Sequence, residues 1–168
     1  SPTNRNVNGA PVRHPPSVPL VYNVVEGDLN ANYDGATVRR FIREELDKWM
    51  TIPGATLVIS EGDSITSPIL SQSDIGVAVN SGLNPIILDE DGAVSADFGF
   101  MPEDGVLAFA GSFVSQPPNA YVGMFAVIGG PPALDASETQ LRATILHELG
   151  HALGLGHSAV QGQLIELG

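Results

Sequence analysis

The residues of this chain whose types and spacing could do chemistry form one run near its C-terminus, His147-Glu148-Leu149-Gly150-His151-Ala152-Leu153-Gly154-Leu155-Gly156-His157. On a helix, His147 and His151 are one turn apart and project from the same face, so two imidazole nitrogens could converge on one zinc ion. Glu148 lies beside them, too far round the helix to be a natural ligand. It could still reach a water held by the metal and act as a general base.

A third ligand cannot come from the same helix, because a residue six positions after His151 would point away from the metal. Gly154 permits the helix to end and the chain to reverse, so that His157 can complete a three-histidine site with an open position for water. Zinc in such a site lowers the pKa of its water to about 7 and polarises a carbonyl. The assembly suits hydrolysis of a peptide bond.

The chain offers few other metal ligands. Three of its four histidines lie in this run and it has no cysteine, so a transition-metal site must use histidine and carboxylate. The remaining histidine, His14, is interpreted as an exposed loop side chain. An acidic turn with Asp89, Asp91 and the carbonyls near Gly92 could hold Ca²⁺, although a hydrogen-bonded or solvated turn explains these residues equally well.

The element that must position the two histidines is predicted to be a helix that begins near Ser137. Ser137 and Gln140 fit a capping box, and Gly154 can supply the left-handed residue that ends the helix. Apolar residues follow at four-residue steps between these ends, namely Leu141, Ile145, Leu149 and Leu153.

Upstream patterns predict an alternation of strands and helices. An amphipathic helix is indicated from Val38 to Met50. Strands are predicted at 18–25, 56–60, 75–80, 106–110 and 121–128, with a short apolar run at 85–88 and a long surface loop at 89–105. The strand-helix-strand order at the start favours a parallel crossover, and hence an α/β or α+β layer.

Composition limits the class of protein. The chain has 168 residues, of which 43% are hydrophobic and 15% charged, and this predicts one domain, 1–168, with a proline-rich extended arm at 1–17. Its net charge of −12 opposes binding to nucleic acid or anionic lipid. With no membrane-length apolar run and no signal peptide in the sequence, we expect a soluble, monomeric, secreted protein whose signal has been removed.

The run at 147–157 matches the HExxHxxGxxH signature of metzincin proteases, and the following Ser158 resembles the matrixin branch, which includes the matrix metalloproteinases and their bacterial relatives. The resemblance implies a zinc-dependent endopeptidase for protein or peptide substrates, with one catalytic Zn²⁺ on His147, His151 and His157 and with Glu148 activating the zinc-bound water. It also implies a zincin-like α/β (α+β) fold. In that fold a twisted, mostly parallel sheet with an antiparallel edge strand packs on two long helices, the second carrying HExxH.

The resemblance extends to the edge strand, which lines the substrate cleft in matrixins. The backbone of about Gly105 to Phe113 is therefore expected to pair with an extended peptide. The substrate-binding residues implied in this way are Val106, Leu107, Ala108, Phe109 and Ala110.

Two features depart from the family pattern. Matrixins have a methionine turn after the third histidine, whereas here Ile165 stands at the spacing common in vertebrate members and no methionine follows Met124. We expect that 18–157 form the sheet and helices, that 158–168 begin a C-terminal subdomain missing from this chain, and that the methionine lies beyond Gly168. The second, structural zinc of the vertebrate enzymes needs upstream histidines and is expected to be absent.

Two other functions fit the motif. A non-catalytic zinc-containing binding or inhibitory module would keep the site without a complete cleft. Intact Glu148 argues against it, and the missing subdomain supports it. A different hydrolase or a structural protein could use the motif only to fold, in which case removal of zinc would unfold the chain.

Overall fold

The structure is a computed structural model that describes residues 18–115 and 121–155, together with the backbone of 4–5 and 11–12. His14, Gly156, His157, Ser158 and Ile165 lie outside the described residues. In chain order the elements are β1 (Asn4–Arg5), β2 (Pro11–Val12), β3 (Leu20–Val24), α1 (Gly35–Met50), β4 (Ile59–Glu61), α2 (Gln72–Asn80), β5 (Pro85–Asp89), α3 (Ala93–Asp97), the 3₁₀ helix η1 (Pro102–Asp104), β6 (Ala108–Val114), β7 (Tyr121–Gly129), α4 (Gly130–Ala133) and α5 (Glu138–Ala152).

Five strands form one mixed sheet in the order β4-β3-β5-β7-β6. The first four are parallel neighbours, and β6 pairs with β7 antiparallel at the edge. Helix α1 connects β3 to β4 and α2 connects β4 to β5, because parallel strands need a crossover. The predicted fold class, a mostly parallel sheet with an antiparallel edge strand, is confirmed. In the arm, β1 and β2 form a separate antiparallel ladder.

The sheet packs on two long helices, as predicted, and these helices share one core on the same face of the sheet. Helix α1 is capped by Asp34, whose side chain accepts a hydrogen bond from the Thr37 N–H at 2.7 Å. Apolar side chains from α1 and α5 interlock over the strands, each helix presenting one buried stripe. The fully buried members include Val38, Phe41, Ile42, Leu46, Leu141, Ile145 and Leu149.

The predicted strand at 75–80 is wrong, because these residues belong to helix α2. Their β-branched run is typical of a strand when considered alone. In the structure Ser71 caps the helix, and Val77 is 65% exposed. The residues that pack on the second face of the sheet are spaced by three and four positions, which is a helical period: Ile75, Ala78 and Val79. Tertiary packing of this face decides the conformation.

Other boundaries also differ from the sequence-based predictions. Instead of 56–60, strand β4 spans Ile59–Glu61, because Leu20 at the start of β3 pairs in register with Ile59. The predicted loop at 89–105 contains α3 and η1. Strand β6 extends to Val114, beyond the predicted end at residue 110, because it follows β7 along its length.

Glu61, at the end of β4, joins that strand to α1. Its carboxylate accepts hydrogen bonds from Arg39 at 3.0 Å and Arg43 at 2.9 Å. Burial acts to raise the pKa of Glu61, but the hydrogen bonds and charges of the two arginines outweigh it and hold this pKa below its ordinary value of 4.5. Because the pKa of Glu61 is lowered in the folded state, its pairing with the arginines stabilises the fold fully above the unfolded-state pKa. This stabilisation is lost as the pH falls through the folded-state pKa.

We expect Glu61→Gln to lower the free energy of unfolding by about 1 kcal/mol at neutral pH. The difference from wild type should shrink as the pH falls from 4.5 through the lowered pKa of Glu61, because the wild-type carboxylate is then protonated. Thermal unfolding as a function of pH measures this, with Glu103→Gln at an exposed position as the control. A Tm difference that stays constant into strong acid would contradict the role of the carboxylate charge.

Candidate metal centre

Helix α5 is built at both ends as its sequence predicts. At its N-terminus the Ser137 side chain accepts from the Gln140 N–H, and the Gln140 side chain accepts from the Ser137 N–H, which is a capping box. At its C-terminus Gly154 has φ +89°, in the left-handed region. The Gly154 N–H donates to His151 O and the Leu155 N–H to Gly150 O, the pair of bonds of a Schellman motif.

The two helix histidines converge as their spacing predicts. The Nε2 atoms of His147 and His151 are 3.0 Å apart, and the rings meet edge to face with centroids 4.7 Å apart. Glu148 lies beside them, with Oε1 at 3.8 Å from His147 Nε2. Within the ranges that the structure describes, this trio is the group found able to hold a metal ion, since its ligand atoms all lie within 4.8 Å of one another.

The helix end also selects the tautomer of one histidine in its neutral form. The Schellman motif turns the chain so that Leu155 O lies 2.7 Å from His151 Nδ1. A carbonyl oxygen only accepts, so Nδ1 carries the proton and the lone pair of His151 is on Nε2, facing His147. An outer partner of this kind orients a zinc-binding imidazole.

These residues fit zinc. Two imidazole nitrogens at tetrahedral positions, each about 2.0–2.1 Å from one ion, would be roughly 3.4 Å apart, close to the observed separation of His147 and His151. The donor set is neutral imidazole with an adjacent carboxylate, which suits zinc better than calcium. His157, the predicted third ligand, lies outside the described residues.

Glu148 occupies a half-buried position between α5 and the edge strand. Burial raises the pKa of its carboxyl to about 7, and a hydrogen bond from the Ala110 N–H opposes that shift. Leu107 O accepts from the Gly129 N–H, so the odd-numbered residues of this part of the chain direct their backbone N–H and C=O groups toward β7. In an antiparallel ladder the alternate residues then direct their N–H and C=O groups to the open edge, namely Ala108, Ala110 and Ser112.

The acidic turn takes the hydrogen-bonded form. The buried Asp89 carboxylate accepts from Val94 N, Ser95 N and Ser95 Oγ at 2.6–3.0 Å, and Asp91 accepts from Ala93 N at 3.0 Å. These bonds cap α3, which is why a helix interrupts the predicted loop. Calcium at this turn stays a prediction.

Backbone atoms are the site components that the sequence did not reveal. Leu155 O and the Ala110 N–H belong to apolar residues, so no side-chain type signalled them. Trp49 packs partly buried against the core. Its indole N–H also donates to Leu146 O, next to His147, at 3.2 Å.

A mostly parallel sheet whose antiparallel edge strand contacts the glutamate of a helix-borne HExxH motif is the arrangement expected of a metzincin-type zinc peptidase. Comparison with known protein families matches residues 18–167 to the matrixin family. Because this match covers most of the chain, the protein belongs to the matrixin family. A search of curated proteins found no match.

Membership of the matrixin family implies zinc-dependent endopeptidase activity in general, and therefore protein or peptide substrates. Matrixins are commonly extracellular. Among the described residues, no helix is both long and apolar enough to cross a membrane.

Proposed function

We propose that this chain hydrolyses peptide bonds with one zinc ion held by His147, His151 and His157, and with Glu148 as the general base. The observation that carries the proposal is the 3.0 Å approach of two Nε2 atoms, one with its lone pair fixed by Leu155 O, beside a carboxylate at 3.8 Å. When bound, zinc would acidify a water molecule and polarise the scissile carbonyl.

Glu148 is proposed to take the proton from the attacking water and to deliver it to the leaving amine. Its carboxyl group, carried by α5, faces the Ala110 N–H of the edge strand, which favours the charged form. A base held beside the reacting groups loses little freedom when it reacts, which favours proton transfer. The position of Glu148 off the face of the two histidines leaves it available for this role.

The edge strand is proposed to bind the substrate backbone. The backbone groups of Ala108 and Ser112 and the Ala110 C=O point to the open side of β6, where an extended peptide could add as a further strand, while the Ala110 N–H is directed to Glu148. The residues proposed to contact the peptide are the five that the family resemblance implies, Val106 to Ala110. This strand would hold the scissile bond beside Glu148, because the same strand already contacts that carboxylate.

The remaining expectations stay predictions: one domain over 1–168, a C-terminal subdomain that begins at 158–168, secretion, and a monomeric state. His157 is proposed as the third ligand from its place in the signature, because it lies outside the described residues. The alternative of a non-catalytic zinc-containing module would use the same two histidines without turnover.

Zinc removal tests the proposal. The protein should contain one zinc per chain and cleave casein, and dialysis against a chelator should lower cleavage by at least about a hundredfold, since a catalytic metal supplies several kcal/mol. Adding zinc should restore cleavage, whereas adding magnesium should not. Stoichiometric zinc without cleavage would favour the non-catalytic module, and unfolding on zinc removal would favour a structural role.

A further inference from the structure

Among the polar contacts between helices α1 and α5, two lie one helical turn apart on each helix. Arg142 Nε donates to Glu45 Oε1 at 2.8 Å, and Trp49 Nε1 donates to Leu146 O at 3.2 Å. Residues 45 and 49 share one face of α1, and residues 142 and 146 share one face of α5. We call this pair of contacts the helix clamp.

The Glu45 contact is a buried ionic one. The Glu45 side chain is only 1% exposed, and it also contacts Lys48. Arg142 in turn reaches Glu44 at 2.6 Å and Glu138 at 3.3 Å. A buried carboxylate tolerates little displacement from its partners, because each lost hydrogen bond leaves it with uncompensated charge. This contact therefore fixes where Arg142, five residues before His147, sits along α1.

The Trp49 contact lies next to the metal centre. Leu146 is the residue immediately before His147, and in an α-helix its carbonyl also faces the N–H of Gly150, immediately before His151. The indole thus binds the helical turn that separates the two histidines. Rotation of α5 about its axis would stretch this bond at the same time as it moved both imidazoles.

We propose that Trp49, supported by Glu45 and Arg142, is a positioning residue that sets the rotation of α5 and so holds the two Nε2 atoms together for metal binding. The inference rests on the proposed zinc site. Sites of this kind need geometry held within about 0.5 Å by surrounding contacts. Leu155 O fixes one imidazole tautomer, and the helix clamp fixes the helix that carries both rings.

Affinity for Co²⁺, measured by competition with a chromophoric chelator, tests the inference with the full chain. Because Trp49 is the single tryptophan, biosynthetic replacement by 3-benzothienylalanine exchanges the indole N–H for sulfur at this position alone and keeps the ring shape. Trp49→Phe is the second variant. Both should bind Co²⁺ about tenfold more weakly, the lower end of the effect of losing an outer contact. They should also show an altered Co²⁺ visible spectrum.

Tyr33→Phe is the matched control. The Tyr33 hydroxyl donates to Ala136 O at 3.0 Å, just before the N-cap of α5. This variant therefore also loses a side-chain donor to a backbone carbonyl, but eleven residues before His147. Its Co²⁺ affinity should stay within about twofold of wild type. Hydrogen exchange of the 146–151 amides in metal-free protein should quicken in the Trp49 variants and not in this control.

The outcomes separate the two claims. If wild type and Tyr33→Phe bind Co²⁺ and both Trp49 variants bind it equally well with the same spectrum, the helix clamp does not position the site and the inference is overturned. If wild type binds no Co²⁺, the proposed zinc site fails and the inference fails with it. Weaker binding confined to the Trp49 variants supports both.

Discussion

Glu148→Gln is expected to lower kcat/KM for peptide hydrolysis by about 10²–10⁴-fold, while zinc stays at one per chain. Glutamine has nearly the same shape and keeps an oxygen that can accept from the Ala110 N–H. It cannot take a proton from water. The expected loss is therefore one of proton transfer, seen in kcat on a fluorogenic peptide, with metal content measured on the same sample.

Glu103→Gln serves as the control for this variant, because Glu103 is exposed in η1 and away from the histidine run. It should retain wild-type kcat/KM. Near-normal activity in Glu148→Gln would remove Glu148 from the mechanism. Loss of zinc together with activity would instead show that Glu148 supports the metal, and the base assignment would then fall.

Gly130→Ala is expected to lower the free energy of unfolding by about 3 kcal/mol, at the upper end of overpacking effects. A methyl group here would meet Leu29 O, and it would also lie 2.6 Å from Glu90 O. Both obstacles are backbone, so neither can rotate away. The Asn30 side chain holds the same segment by donating to Gly130 O at 2.9 Å, in a buried position.

Gly76→Ala is the matched control, since Gly76 is in helix α2 with nothing within 4 Å of an added methyl group. That variant should be more stable by about 0.5–1 kcal/mol, because alanine loses less backbone freedom than glycine in a helix. Urea denaturation gives both values. A Gly130→Ala protein as stable as wild type would mean that the contacts of residues 29 and 90 with this turn are looser than the structure has them.

Patterns confined to one helix were predictable from the sequence. The capping box at Ser137, the apolar stripe of α5 and the stop at Gly154 each depend on residues a few positions apart, and all are confirmed. Helix α2 shows the limit of such patterns. Its β-branched run has a local preference for a strand, and only burial of Ile75, Ala78 and Val79 against the sheet selects the helix.

By itself, the sequence determined that this protein carries a helix-borne histidine pair with an adjacent glutamate, because spacing along a helix is enough to bring those side chains together. Tertiary structure alone decided what surrounds them. The Ala110 N–H reaches Glu148, and Trp49 reaches Leu146 across 97 positions of sequence. Contacts between residues so far apart depend on strand order and helix packing, which no local spacing encodes.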